Sequence, residues 1–198
     1  MENKVRVILV TDGDRVAQKA VENIASSLGL RCISASGGNP TPISGAQIVN
    51  LIKTVPYDPV LVMFDDRGRS DKGRGERALE YVASHPDIEV LGAVAVASNT
   101  TGISGIKADA CISCDGSLVN TAVDKSGDVD YHKRQTIITG DTVDILNKVD
   151  VPIIIGVGDI GKMDNADAVE KGAPITRKAI EEVLKRSGIV YGHQTKNR

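Results

Sequence analysis

The sequence predicts an α/β fold: a three-layer sandwich on a mostly parallel, Rossmann-like sheet, carrying a small β-rich insertion. Three observations carry this expectation. Short runs of branched and small apolar residues alternate with segments whose apolar residues recur at helical spacing. The strand runs are apolar along their whole length, as strands buried on both faces are, instead of alternating with polar residues. Hydrophobic residues make up 41% of the chain but aromatics only 3%, with no Trp, so the core is built from Val, Ile, Leu and Ala.

Residues 5–10, VRVILV, form the first strand and end in the acidic turn Asp12-Gly13-Asp14. A helix over 15–28 follows, with Val16, Ala20, Val21, Ile24 and Leu28 on one face, Asp14 as its N-cap and Gly29 as its stop. The second strand covers 31–35, and the loop Ser36-Gly37-Gly38-Asn39-Pro40 leads to a helix striped by Ile43, Ile48, Val49 and Ile52. The third strand, 60–64, ends in Asp65-Asp66-Arg67-Gly68, followed by the charged loop RSDKGRG. A helix over 76–84 and a strand over 89–97 complete the alternation, which implies right-handed crossovers with helices on both faces.

From 99 to 140 the rhythm changes. Residues 110–113, 118–123 and 136–139 read as short strands, with Asp115-Gly116 as a hairpin signal and Ser126-Gly127-Asp128 as a further turn. The expectation is a β-rich subdomain inserted into a single α/β domain spanning 1–198. Asp141 caps a helix to about 149, the fifth parallel strand covers 152–157, and helices follow near 165–170 and 174–187. The expected order of the five parallel strands is 2-1-3-4-5. The polar tail YGHQTKNR is expected to fray.

Bulk properties exclude several function classes. A net charge of −2 provides no global field for nucleic acid or anionic lipid. No apolar run approaches the ~20 residues of a membrane helix, and MENKVRVILVTDGD has too short an apolar run for a signal peptide. Three cysteines, an odd number, favour a reducing compartment.

Ligands of open α/β sheets sit outside the carboxyl ends of the strands, and the candidate residues gather there. Asp12, Asp14, Asp65, Asp66 and Asp159 all follow parallel strands. As a set, Asp12, Asp14, Asp65 and Asp66 suit Mg²⁺, a hard cation taking oxygen ligands, in a Toprim-like phosphoryl-transfer or nucleotide-binding enzyme. The pattern departs from that family in lacking a glutamate after the first strand, and its second acidic pair is adjacent instead of alternating. The same aspartates also serve as helix caps and turn residues, and then no cofactor is required. Gly156, Gly158 and Gly161 around Asp159 match G-x-G-x-x-G. No following strand completes a dinucleotide fold, and Met163 stands where a P-loop needs Ser or Thr. The alternative is a tight turn between strand and helix.

Other constellations are weaker. Cys111 and Cys114 form one CxxC with no second, and on a strand an offset of three sends the thiols to opposite faces. Cys32 and His85, His132 and His193 show no ligand spacing, and Ser36, Ser98 and Ser104 lie outside any G-x-S-x-G elbow. The runs 67–77 and 132–134 are charged loops that suit an acidic partner surface.

Several long blocks resemble one family. VILVTDGD at 7–14, VLVMFDDRG at 60–68, KGRGERALEYVASHPDIEVLGAVAVAS at 72–98, VPIIIGVGDIGKMD at 151–164 and KGAPITRKAIEEVLKRSG at 171–188 are similar to the soluble stage V sporulation protein AE of spore-forming Firmicutes. The resemblance implies a non-enzymatic accessory protein of dipicolinic-acid handling and spore germination, soluble and peripheral at the spore inner membrane. Its implied partners are integral germination proteins: a germinant receptor A-subunit-like protein and other stage V sporulation A-operon proteins. The resemblance transfers no catalytic residue. The expected contact surface is the strand-end edge: Asp12, Gly13, Asp14, Asp65, Asp66 and Arg67, with Gly68–Gly75 and the Gly156, Gly158, Asp159, Gly161 loop beside them. Asp65 and Arg67 are expected to be exposed, so that charge reversal at both weakens binding without unfolding the chain.

Overall fold

The computed structural model describes residues 4–67, 72–99, 104–131 and 135–189. Gly68 and the start of the charged loop after it, His132 with the 132–134 run, and His193 with the terminal tail lie outside the described residues.

The parallel strands are β1 (Val5–Val10), β2 (Arg31–Cys32), β3 (Val60–Met63), β4 (Ile88–Val96) and β9 (Ile154–Val157), and the helices are α1 (Arg15–Ser27), α2 (Gly45–Thr54), α3 (Arg74–Ala83) and α4 (Pro174–Arg186). Four shorter strands, β5 (Ile106–Lys107), β6 (Ala110–Ile112), β7 (Leu118–Val119) and β8 (Ile137–Ile138), lie between β4 and β9. The main sheet has seven strands in the order β2-β3-β1-β4-β9-β6-β7.

Strand residues divide by parity between two cores. Val7, Leu9, Val60, Val62, Ala93 and Ala95 pack with α2 and α3. Ile8, Val10, Leu61, Met63, Val94, Ile155 and Val157 pack with α1 and α4 on the other face. The period of two that alternates side chains across a sheet thus fills both outer interfaces of a three-layer sandwich. Each fully buried Val, Leu or Ile contributes roughly 1.5–3 kcal/mol, and β1 is buried along nearly its whole length.

The strand order corrects the expected 2-1-3-4-5, because β3 lies between β2 and β1. β2 has only two residues, Arg31 and Cys32, which pair with Val60 and Leu61. The chain then turns into a 3₁₀ segment, Ser34–Ser36, where the Ser36 hydroxyl accepts from Met63 N–H (3.0 Å) and donates to Ile33 O (2.7 Å). A strand this short suits an edge. The long apolar β1 instead buries both of its edges, against β3 and β4.

Of the 99–140 segment, β6 pairs parallel with β9, and β7 pairs antiparallel with β6, so both extend the main sheet; β5 and β8 form a separate antiparallel pair. Both turns fall where the sequence indicates, with Gly116 and Gly127 at positive φ. Two helices differ from expectation. Instead of a helix capped by Asp141, a 3₁₀ segment covers Asp144–Lys148 without a side-chain cap, and the Asp144 carboxylate accepts from Ser104 N–H and Gly105 N–H. Near 165–170 the chain makes two 3₁₀ turns, Met163–Asn165 and Val169–Lys171. Between them Asp167, fully buried, gathers the amides of Gly161, Ile175 and Thr176 and holds the chain out of a helical path.

Candidate functional site: an acidic cleft at the strand ends

Parallel pairing brings the carboxyl ends of β3, β1, β4 and β9 to one edge. The chain leaves β1 for one face, through α1, and leaves β3 for the other, through α3. Such a divergence opens a crevice in which α/β proteins bind ligands. Here it is a cleft of about 130 Å³, lined by Asp12, Asp14, Asp65, Asp141, Asp159 and Lys125 among others.

Asp14 is the N-cap of α1, as its position before the helix implied: Oδ1 accepts from Val16 N–H (2.8 Å) and Ala17 N–H (2.9 Å). Its Oδ2 accepts from Lys162 Nζ at 2.7 Å, and the same ammonium reaches Asp159 at 3.1 and 3.2 Å. Burial alone pushes Asp14 up, but the Lys162 hydrogen bond and the helix amides outweigh it and hold the carboxyl below the ordinary carboxylate range. For Lys162, burial lowers the affinity for its proton, and Asp14 with Asp159 raises it by more, so the ammonium is held above the usual lysine value.

Asp65 closes the opposite wall. It is 4% exposed, which corrects the expectation of an exposed side chain. The loop after β2 folds over it: Thr41 Oγ1 accepts from Asp65 N–H at 2.9 Å, and the Asp65 carbonyl accepts from Thr41 N–H at 2.9 Å. The carboxylate accepts from Arg67 N–H (2.9 Å) and Gly13 N–H (3.3 Å). Burial pushes it up to about 6, with Asp141 and Asp14 adding to the rise against those two amides. Asp12, also buried, is raised well above the ordinary range, first by burial and then by Asp14, Asp65 and Asp159. Like charges crowded into low dielectric favour the neutral acid, so the cleft retains protons on Asp12 and Asp65 at pH values where a surface aspartate is ionised.

Asp66 and Arg67 face elsewhere. The Asp66 carboxylate accepts from Gly75 N–H (2.7 Å) and Glu76 N–H (2.6 Å), closing the first turn of α3, whose N-cap Gly73 has no side chain to do so. A Cβ at Gly73 would lie 2.0 Å from Asp66 Oδ1, which is why glycine stands there. Arg67 is exposed, at φ 61°. The four carboxylates read as a Mg²⁺ set are therefore divided between two places, and among the described residues no three His, Cys, Asp or Glu side chains gather so as to hold a metal ion.

The model of the stage V sporulation protein AE1 family matches residues 6–187, from β1 to the end of α4. The chain belongs to that family. No curated protein and no solved structure matches it. Membership in the stage V sporulation protein AE1 family gives the chain a sporulation-related role. Every element that shapes the cleft lies inside the matched span. Among the described residues no helix is long and apolar enough to cross a membrane.

The glycines of the G-x-G-x-x-G stretch serve packing in this family member. A Cβ at Gly156 would lie 2.6 Å from Ile138 Cγ1 and 2.7 Å from Cys111 Sγ; at Gly158, 2.6 Å from the backbone at Gly127 and Lys125; at Gly161, which has φ 74°, 2.8 Å from Val16. Two of the loop amides a phosphate would need are already used: Asp159 N–H donates to Lys125 O and Gly161 N–H to the Asp167 carboxylate. The thiols differ too. Cys111 is buried in a core, where burial pushes it up to about 11, whereas Cys114 Sγ donates to Asp128 Oδ1 at 3.2 Å. His85 accepts from Asp87 N–H at the end of α3.

Thr11, Asn39, Ser98, Lys125 and Asp141 also line the cleft. Ser98 follows the end of β4, so the strand-end rule that singled out Asp12 applies to it as well, whereas Asp141 follows β8 of the separate antiparallel pair and is brought in by the return from the insertion. Lys125 arrives from the insertion, placed by Asp159 N–H donating to its carbonyl (2.8 Å), and no local pattern marks it.

Proposed function

We propose that this chain is a non-enzymatic accessory protein of the spore inner-membrane dipicolinic-acid channel and germination apparatus. It works peripherally at that membrane, through contacts with integral partners: a germinant receptor A-subunit-like protein and other stage V sporulation A-operon proteins. One observation supports this above the others. The strand-end groups that would do chemistry are engaged in architecture: Asp14 caps α1 and holds Lys162, Asp66 closes α3, and Asp65 ties Gly13 to Arg67. A rigid edge of mixed charge, with loops displayed on a parallel sheet, suits recognition.

Deleting the gene tests the reading. Spores without the protein should release dipicolinic acid abnormally or germinate with altered kinetics. Wild-type release and germination under every stimulus would contradict it.

A further inference from the structure

Beside the acidic cleft lies a groove of opposite charge. One cavity, of about 540 Å³, is lined by Arg67, Lys72, Arg74 and Arg77. Among the described residues its one carboxylate, Asp66, has both oxygens engaged by the Gly75 and Glu76 amides. A second cavity, of about 560 Å³, shares Arg74 and Arg77 and continues between α2 and α3 to Ile43 and Tyr81, the latter 49% exposed. Together the two exceed the roughly 300–1,000 Å³ of small-molecule pockets. The cations are partly pre-positioned: Arg74 Nη2 donates to Pro42 O (2.6 Å) and Arg77 Nη1 to Lys72 O (2.8 Å), leaving other guanidinium N–H groups to the groove. Arg67, exposed, makes no hydrogen bond or ion pair through its side chain among the described residues.

We propose that this groove docks an acidic peptide segment of a partner protein, its carboxylates on Arg67, Arg74 and Arg77 and an apolar side chain beside Tyr81 and Ile43. The inference rests on the reading that the chain acts through protein contacts, and it adds the place and the partner's chemistry. Charge complementarity selects the occupant, because a chain of net charge −2 places four cations on this lining among the described residues, of which Lys72 is paired with Glu80 and the three arginines are left for the ligand. The concave shape favours a peptide over a flat anionic bilayer.

The test is fluorescence anisotropy of the full chain with a labelled peptide of interspersed glutamate and leucine, beside a lysine–leucine control. The glutamate peptide should bind and the control should not. Arg67→Glu and the pair Arg74→Gln with Arg77→Gln should each weaken binding about tenfold. Lys185→Glu, 77% exposed on α4, should leave it unchanged. Arg67→Glu removes no contact within the fold, so it remains informative if the double variant fails to fold. Absence of peptide binding, equal weakening by Lys185→Glu, or sedimentation with phosphatidylglycerol vesicles in place of peptide binding would overturn the proposal. If peptide binding fails while deletion still alters dipicolinic-acid release, the groove assignment falls and the accessory role stands.

Discussion

Replacing Asp65 by Asn should stabilise the protein at neutral pH and destabilise it in acid. The Asp65 carboxyl titrates at about 6 in the fold against 3.8 unfolded. The folded chain therefore holds a proton between these values that the unfolded chain has lost, and stability falls as pH rises through that window. The full shift corresponds to about 3 kcal/mol of cost at pH 7 relative to the protonated state, of which about 2.4 kcal/mol accrues between pH 4 and pH 7. Asn carries no charge to bury or to oppose Asp141 and Asp14. It keeps one acceptor oxygen and loses one of the amide partners, Arg67 N–H or Gly13 N–H, at about 1 kcal/mol. The variant should gain about 2 kcal/mol over wild type at pH 7 and lose about 0.5 kcal/mol at pH 4, approaching about 1 kcal/mol at lower pH, where wild-type Asp65 is neutral both folded and unfolded. Urea unfolding of both proteins across this range measures the difference directly. Asp14 and Glu182 titrate below their ordinary values, and they act in the opposite direction. They are common to both proteins and cancel in the difference, which carries Asp65 together with the part of the Asp12 rise that Asp65 causes, a change of the same sign. A variant destabilised by the same amount at both ends of the range would refute the reasoning.

Two further substitutions probe the frame of the cleft. Asp167→Ala strands three buried amides and the Thr176 hydroxyl, which donates to Asp167 at 2.6 Å, so urea unfolding should show a loss of about 3–5 kcal/mol; less than about 1 kcal/mol would mean the loop is held by other contacts. Gly158→Ala drives a Cβ against the backbone of the turn bearing Lys125, and should cost about 1–3 kcal/mol and speed hydrogen exchange at the Asp159 amide; unchanged exchange would show that the turn accommodates the methyl.

What was legible in the sequence was local. Asp14 precedes an apolar helical stripe and caps that helix, and the apolar runs at 5–10, 60–64 and 89–97 match the central strands β1, β3 and β4 to within a residue at each end. Strand order was not legible, because it depends on how far pairing extends past Cys32, where Ser36 takes over the Met63 amide. The burial of Asp65 was hidden for a similar reason: the residues that cover it, Gly13 and Thr41, are remote in sequence. The glycines at 156, 158 and 161 were recognisable as a motif match or a tight turn, but not what a Cβ there would meet. Ile138, Gly127 and Val16 come from three different elements, and a phosphate would demand the same glycines. Lys125 is one lysine in a polar loop until the insertion folds back onto Asp159.

The central claim is that this family member works by touching membrane-embedded partners. Its most direct measurement is site-specific photo-crosslinking from position 67, exposed at the rim of the strand-end edge, in sporulating cells, with the adducts identified after membrane fractionation. The account predicts covalent adducts to an integral germination protein, recovered with the inner membrane and diminished when Arg74 and Arg77 are neutralised. A chain that fractionates away from the membrane and yields no protein adduct from this position would contradict it.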